Sequence, residues 1–205
     1  SLGILSAKLA PGNTIRFMKN VDSWFPNFIN LNSIQKVGLG ILETGDGLLS
    51  VSFAFVTLFL IVSVILSIYK NNFTSFILST VVLLTILSHK FEWRSILFTL
   101  SAVSKLARES GTFEFNFVYF GAVLFYFVIL FIILFIIWSL SDSKDKVWLS
   151  YLFIIGLLGR MVISFSPTLY ASDTRTYLPI MLSVFIITCK FINEIYLKIK
   201  HRKIN

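Results

Sequence analysis

Residues 115–140 are apolar on every face of the helix they would form. At 1.5 Å per residue that helix is long enough to cross the roughly 30 Å hydrocarbon layer of a bilayer. A helix without a polar face has no place on the surface of a soluble domain. Four more apolar runs accompany it, at about 48–69, 73–88, 147–165 and 177–197. The second is short and needs bilayer thinning or help from its flanks. Composition agrees, with 56% hydrophobic residues and 14% charged, where a soluble domain carries about a quarter charged. The 22 phenylalanines suit the hydrocarbon layer, and no segment alternates like a barrel strand. The expectation is an all-α membrane protein with about five transmembrane helices joined by amphipathic or irregular loops.

Basic residues in short connections set the expected orientation. The tail carries Lys198, Lys200, His201, Arg202 and Lys203, which predicts a cytoplasmic C-terminus. With five spans, Lys144 and Lys146 in one link and Lys70 in another fall on that side too. Two parts follow: 1–47, an extracytoplasmic loop segment, and 48–205, the transmembrane region with outer loops 89–114 and 166–176. Residues 22–43 mix aromatic, aliphatic and amide side chains, which suits either an amphipathic helix on the membrane surface or a solvated loop. Residues 91–109, with Arg94, Lys105 and Arg108, leave the same two options. The chain opens Ser-Leu-Gly with no basic stretch before an apolar core, so it reads as the C-terminal part of a longer protein rather than as a signal peptide.

Two polar loops on the expected outer side carry the candidate chemistry. The first, 9–16, turns at Pro11-Gly12-Asn13 and ends on Arg16. The second, 166–176, combines Ser166, Thr168, Tyr170, Ser172, Asp173, Thr174 and Thr176 with Arg175. A planar guanidinium among hydroxyls can clamp a phosphate with several donors. Arg160 lies within an apolar span, where an arginine is costly unless it pairs or reaches water. It is either a phosphate or carboxylate ligand, or a snorkelling or ion-paired structural residue. Lys190, also within a span, reads as snorkelling to the cytoplasmic interface. Gly156 and Gly159 beside Arg160 suit close helix packing.

No spacing of carboxylates marks an acid–base pair. Glu114, beside a span, and Asp173, close to Arg175, are weak catalytic candidates. His89 and His201 fall on opposite sides, so no metal site is expected. The single cysteine, Cys189, reads as a packing residue. Neither a nucleotide-binding glycine loop nor a nucleic-acid signature is present, and no cofactor is expected.

At these loops the chain resembles a family of bacterial polytopic membrane proteins grouped with GT-C type glycosyltransferases. The resemblance rests on Ala10-Pro11-Gly12-Asn13 with Arg16, and on Arg160-Met161, Ser166-Pro167-Thr168, Tyr170-Ala171-Ser172 and Arg175-Thr176. It covers about a sixth of the chain. The family pattern often has Gly where this chain has Asp173, which weakens Asp173 as a shared catalytic group. The resemblance implies transfer of a sugar from a polyprenyl-phosphate carrier to a cell-envelope glycan, on the outer face of the bacterial plasma membrane. Arg160, Arg175 and Arg16 would then bind the carrier's phosphate, with Asn13, Ser166, Thr168, Tyr170 and Ser172 in support. The catalytic acid would belong to the N-terminal half of the same protein. The partners implied are a polyprenyl-phosphate sugar, a glycan acceptor and membrane lipids. The alternatives are a transporter or flippase component for a lipid-linked glycan, and a non-catalytic membrane subunit.

Overall fold

A computed structural model describes residues 13–91, 93, 99, 102, 117–169 and 173–202. Every regular element among them is helical. In chain order they are α1 (Asn13–Trp24), a 3-10 turn (Pro26–Asn30), α2 (Ser33–Ser50), α3 (Phe53–Tyr69), α4 (Phe73–Lys90), α5 (Phe117–Leu140), α6 (Lys146–Met161), two 3-10 turns (Val162–Phe165 and Asp173–Tyr177) and α7 (Leu178–Arg202).

Three segments are long and apolar enough to cross a membrane: Phe117–Leu140, Lys146–Phe165 and Arg175–Lys200. A fourth crossing exists if Ser33–Leu48 and Phe53–Tyr69 count as one span, broken by a 77° bend. Phe73–Ser88 is a shorter apolar helix. All five apolar runs are therefore helices, and length and composition allow three membrane crossings, or four with the bent pair. The run expected from 48 divides between α2 and α3. The Gly47 carbonyl accepts from both Val51 N and Ser52 N, at 2.8 and 3.1 Å. That closes α2, and α3 begins in a new direction.

Within residues 22–43 it is the part in α2 that differs from a surface helix or loop. Asn32 caps α2 reciprocally with Gln35, each side chain accepting from the other's backbone N–H at 2.8 and 2.9 Å. Beyond this cap the helix enters the bundle. Leu39, Leu42, Glu43 and Thr44 are all buried. Inside the segment expected as an outer loop, α2 is thus part of the core.

The apolar runs cannot reveal which of their faces points inward; packing decides it. On α5, Phe117, Leu124, Phe131 and Trp138 are exposed, while Tyr119, Tyr126, Ile133 and Leu140 are buried. Each set repeats every seven residues, so α5 shows one constant stripe to its neighbours and one to its surroundings. α3 and α4 form a hairpin, α3 and α6 both pack on α7, and α2 lies against α5 and α6. Two serine hydroxyls inside α3 bond back along their own helix, Ser63 Oγ to Phe59 O at 2.8 Å and Ser67 Oγ to Ser63 O at 2.7 Å. This satisfies them without a partner helix.

At Gly156 the backbone of α7 packs close against α6. A Cβ there would lie 3.0 Å from Ile180 Cα and 3.1 Å from Pro179 O. Gly159 allows only ordinary contact with Pro179, at 3.6 Å, so the close approach belongs to Gly156. Cys189 is exposed on the surface of α7 rather than packed in the core.

Charges tie the ends of α3, α5 and α7 together. Lys70 Nζ lies 2.7 Å from Asp142 Oδ1 and also donates to the Leu140 carbonyl. It lies 2.6 Å from Glu194 Oε2, a contact of charges without hydrogen-bond alignment. Lys190 pairs with Asp145 at 2.7 Å, so this lysine is engaged by the α5–α6 link rather than simply snorkelling.

Candidate functional site

The site is built on four glycines of α2 that form two pairs, each seven residues apart. Gly38 and Gly45 face Tyr119 and Tyr126 of α5, themselves seven apart. Seven residues is about two helical turns, so α2 and α5 run side by side in the same direction there. Gly40 and Gly47 face Ser164 and Tyr177. A Cβ at Gly38 would lie 2.8 Å from the Tyr119 hydroxyl, and one at Gly40 would lie 2.7 Å from Ser164 Cβ. At Gly45 and Gly47 it would overlap the rings of Tyr126 and Tyr177. Side chains on α2 at these four points would push the tyrosines out. Their absence lets three aromatic hydroxyls reach the buried polar stretch that holds Glu43 and Asp46.

Arg160, in the last turn of α6, is among the most deeply buried side chains, only 2% exposed. Its guanidinium carbon lies 4.4 Å from the Tyr177 ring centroid. Its Nη2 donates to the Tyr177 hydroxyl at 3.0 Å, and that hydroxyl donates to the Glu43 carbonyl at 2.6 Å. Arg160 Nε and Nη1 have no hydrogen-bond partner among the described residues. Glu43 is buried and Asp46 half-buried, and both carboxylates are close enough for their charges to act on Tyr126 and Tyr177. The Tyr126 hydroxyl reaches Asp46 Oδ1 at 3.5 Å, a weak contact. One arginine, two carboxylates and two of the tyrosines therefore share a buried region at the meeting of α2, α5, α6 and the start of α7.

Buried guanidinium donors without acceptors are expensive, since each loses water and gains nothing. The ligand such a fork fits is an oxyanion, whose oxygens accept two parallel N–H bonds. Beside this end of α6 runs an apolar groove of about 300 Å³ between α2, α5 and α6. Val37, Phe131, Leu157 and Met161 are among its lining residues.

Not all expected site residues converge here. Arg175 is exposed on the 3-10 turn that leads into Tyr177. Arg16 is exposed on α1, whose principal packing partner is the Pro26–Asn30 turn, and no described contact joins it to Arg160. Ser166 and Thr168 are turned on each other, their hydroxyls 2.7 Å apart, with Thr168 N donating to Ser166 Oγ at 3.3 Å. These bonds shape the loop that follows α6. Glu114, Tyr170 and Ser172, and the side chains of Asn13 and Asp173, lie outside the described residues. Among those residues, no three His, Cys, Asp or Glu side chains converge as metal ligands.

The sequence reading singles out Arg160 but not its surroundings. Tyr177 reads as the start of a span, and Glu43 and Asp46 fall in the 1–47 segment read as an outer loop. The available signal is the Gly38, Gly40, Gly45, Gly47 spacing, which marks a helix face reserved for large neighbours. No protein-family model matches the chain, nor does any curated protein or solved structure.

Proposed function

We propose that this chain is part of a membrane glycosyltransferase that takes a sugar from a polyprenyl-phosphate carrier and passes it to a cell-envelope glycan. The observation that carries the reading is the pair of unengaged donors on buried Arg160, held in orientation by Tyr177. Departure of a lipid phosphate leaves charge on its oxygens, and fixed donors in a dry site stabilise that charge as it develops. In this reading Arg175, exposed two residues before Tyr177, assists the incoming headgroup. The apolar groove at the same end of α6 suits the isoprenoid chain. The resemblance of the Arg160–Thr176 segment to GT-C type enzymes supports the same choice. In this reading there are five crossings of a bacterial plasma membrane, the C-terminus is cytoplasmic, and the Arg160 end faces outward.

The test is binding of a short-chain polyprenyl-phosphate sugar to the intact purified protein, with sugar release followed in the same samples. Arg160→Lys keeps the charge but loses the planar fork. Losing one charge-assisted hydrogen bond of about 1.5–3 kcal/mol predicts roughly tenfold or greater weakening. Unchanged binding by Arg160→Lys and by Arg160→Ala would overturn the phosphate role.

A second reading, a carrier for the same lipid-linked glycan, is favoured by one observation. The α2–α3 pair is bent by 77° beside the buried polar residues. Broken helices at membrane depth recur where transporters bind substrate. Binding without sugar release, whatever acceptor is supplied, would select this reading.

A further inference from the structure

We infer that α1, with the turn that follows it, is an interfacial anchor that docks on the anionic headgroup layer of the membrane. The inference is independent of what Arg160 binds. α1 has two apolar sets. One points inward: Val21 is buried, together with Phe25 and Phe28 just beyond the helix. The Phe17 and Phe28 rings meet edge to face at 6.1 Å. Other apolar side chains are left uncovered on the two flanks of the Arg16–Lys19 face, Ile15 and Met18 on one and Trp24, two and a half turns from Ile15, on the other. Ile15 is 75% exposed, Met18 47%, Trp24 52%, and Ile29 in the next turn 54%.

The exposed set is interleaved with cations, and this identifies what covers it. Arg16 and Lys19 are both exposed beside Ile15 and Met18, against one described acid on α1, Asp22. Lys36, at the start of α2, adds a third cation, held 4.2 Å from the Phe28 ring centroid. Long basic side chains can lay their stems along an apolar layer and keep their charges among phosphates. Trp24 is the residue type that settles at the boundary between the two. A protein partner would more often meet a surface without cations at its apolar centre. The anchor continues through the Pro26–Asn30 turn into α2, which enters the bundle. With α2 and α3 as one broken span, the anchor sits at the mouth of that crossing.

The experiment places Trp24 as the sole tryptophan, using Trp93→Phe, Trp138→Phe and Trp148→Phe in the full chain. The protein is reconstituted in phosphatidylcholine vesicles with or without phosphatidylglycerol. Quenching by lipids brominated near the headgroup is compared with quenching by acrylamide. Docking predicts quenching by the brominated lipid, protection from acrylamide, and an increase of both with phosphatidylglycerol. Arg16→Gln and Lys19→Gln should each reduce the phosphatidylglycerol effect roughly fivefold, the contribution of one basic side chain near an anionic surface. Free access of acrylamide to Trp24 in both vesicle types would overturn the docking. Equal lipid quenching with and without phosphatidylglycerol would overturn the anionic selection.

Discussion

Arg160 and Tyr177 hold each other in two ways at once. The guanidinium lies over the ring at 4.4 Å and also donates to the ring's hydroxyl at 3.0 Å. The hydroxyl passes the chain of bonds on to the Glu43 carbonyl. Tyr177→Phe keeps the ring and removes both bonds, leaving a third guanidinium nitrogen without an acceptor. The expected loss is about 1–3 kcal/mol of stability, read as a lowered unfolding temperature in detergent. Donor binding should weaken further than in a variant of similar stability elsewhere, because the orientation of Arg160 is lost.

The glycines of α2 predict two different responses to the same substitution. Gly38→Ala would meet only the far end of Tyr119, its hydroxyl at 2.8 Å, while the next ring atom is at 3.7 Å. Gly45→Ala would meet the body of Tyr126, down to its Cβ. Each should cost about 1–3 kcal/mol by overpacking. Removing the hydroxyl should relieve only the first. Gly38→Ala is therefore expected to cost less in a Tyr119→Phe background, and Gly45→Ala to cost the same in a Tyr126→Phe background. A double-mutant cycle by thermal unfolding reads the difference.

Much of the fold is legible in the chain because hydropathy alone places helices in a membrane. The apolar runs are all helices, and the most apolar of them is α5. Their inner faces are less legible. Nothing in a run that is apolar all round distinguishes the stripe of Tyr119 and Tyr126 from that of Leu124 and Phe131, except the hydroxyls that need partners. The site is legible only at Arg160, whose cost in an apolar span stands out. Its relation to Tyr177 and Glu43 depends on how α2 folds into the bundle. A segment with Glu43, Asp46 and four glycines is too polar to read as core. Its glycines admit it only because the tyrosines of other helices fill the space.

The α3–α4 hairpin turns on Asn71, the one described non-glycine residue with positive φ, at 52°. Asn tolerates this left-handed region better than other side-chain-bearing residues. Asn71→Ala should destabilise by about 1 kcal/mol, whereas Asn71→Gly should be close to neutral. Unfolding temperatures of the two variants, measured side by side, check the order.

The two lysine pairs at the other end of the bundle should differ in strength although their distances match. Lys70 and Glu194 have side chains only 14% and 6% exposed, at 2.6 Å, while Lys190 and Asp145 are 39% and 30% exposed, at 2.7 Å. Water screens the second pair, so Lys190→Gln should cost less than about 1 kcal/mol. Removing Lys70 leaves Glu194 as a buried charge and also strips a donor from the Leu140 carbonyl. Lys70→Met should therefore cost about 3–5 kcal/mol. Adding Glu194→Gln removes the stranded charge and should recover part of that loss, although Asp142 still loses its partner. If Lys70→Met and Lys190→Gln shift the unfolding temperature equally, burial does not set the strength of these pairs, and the joint between α3, α5 and α7 rests on packing alone.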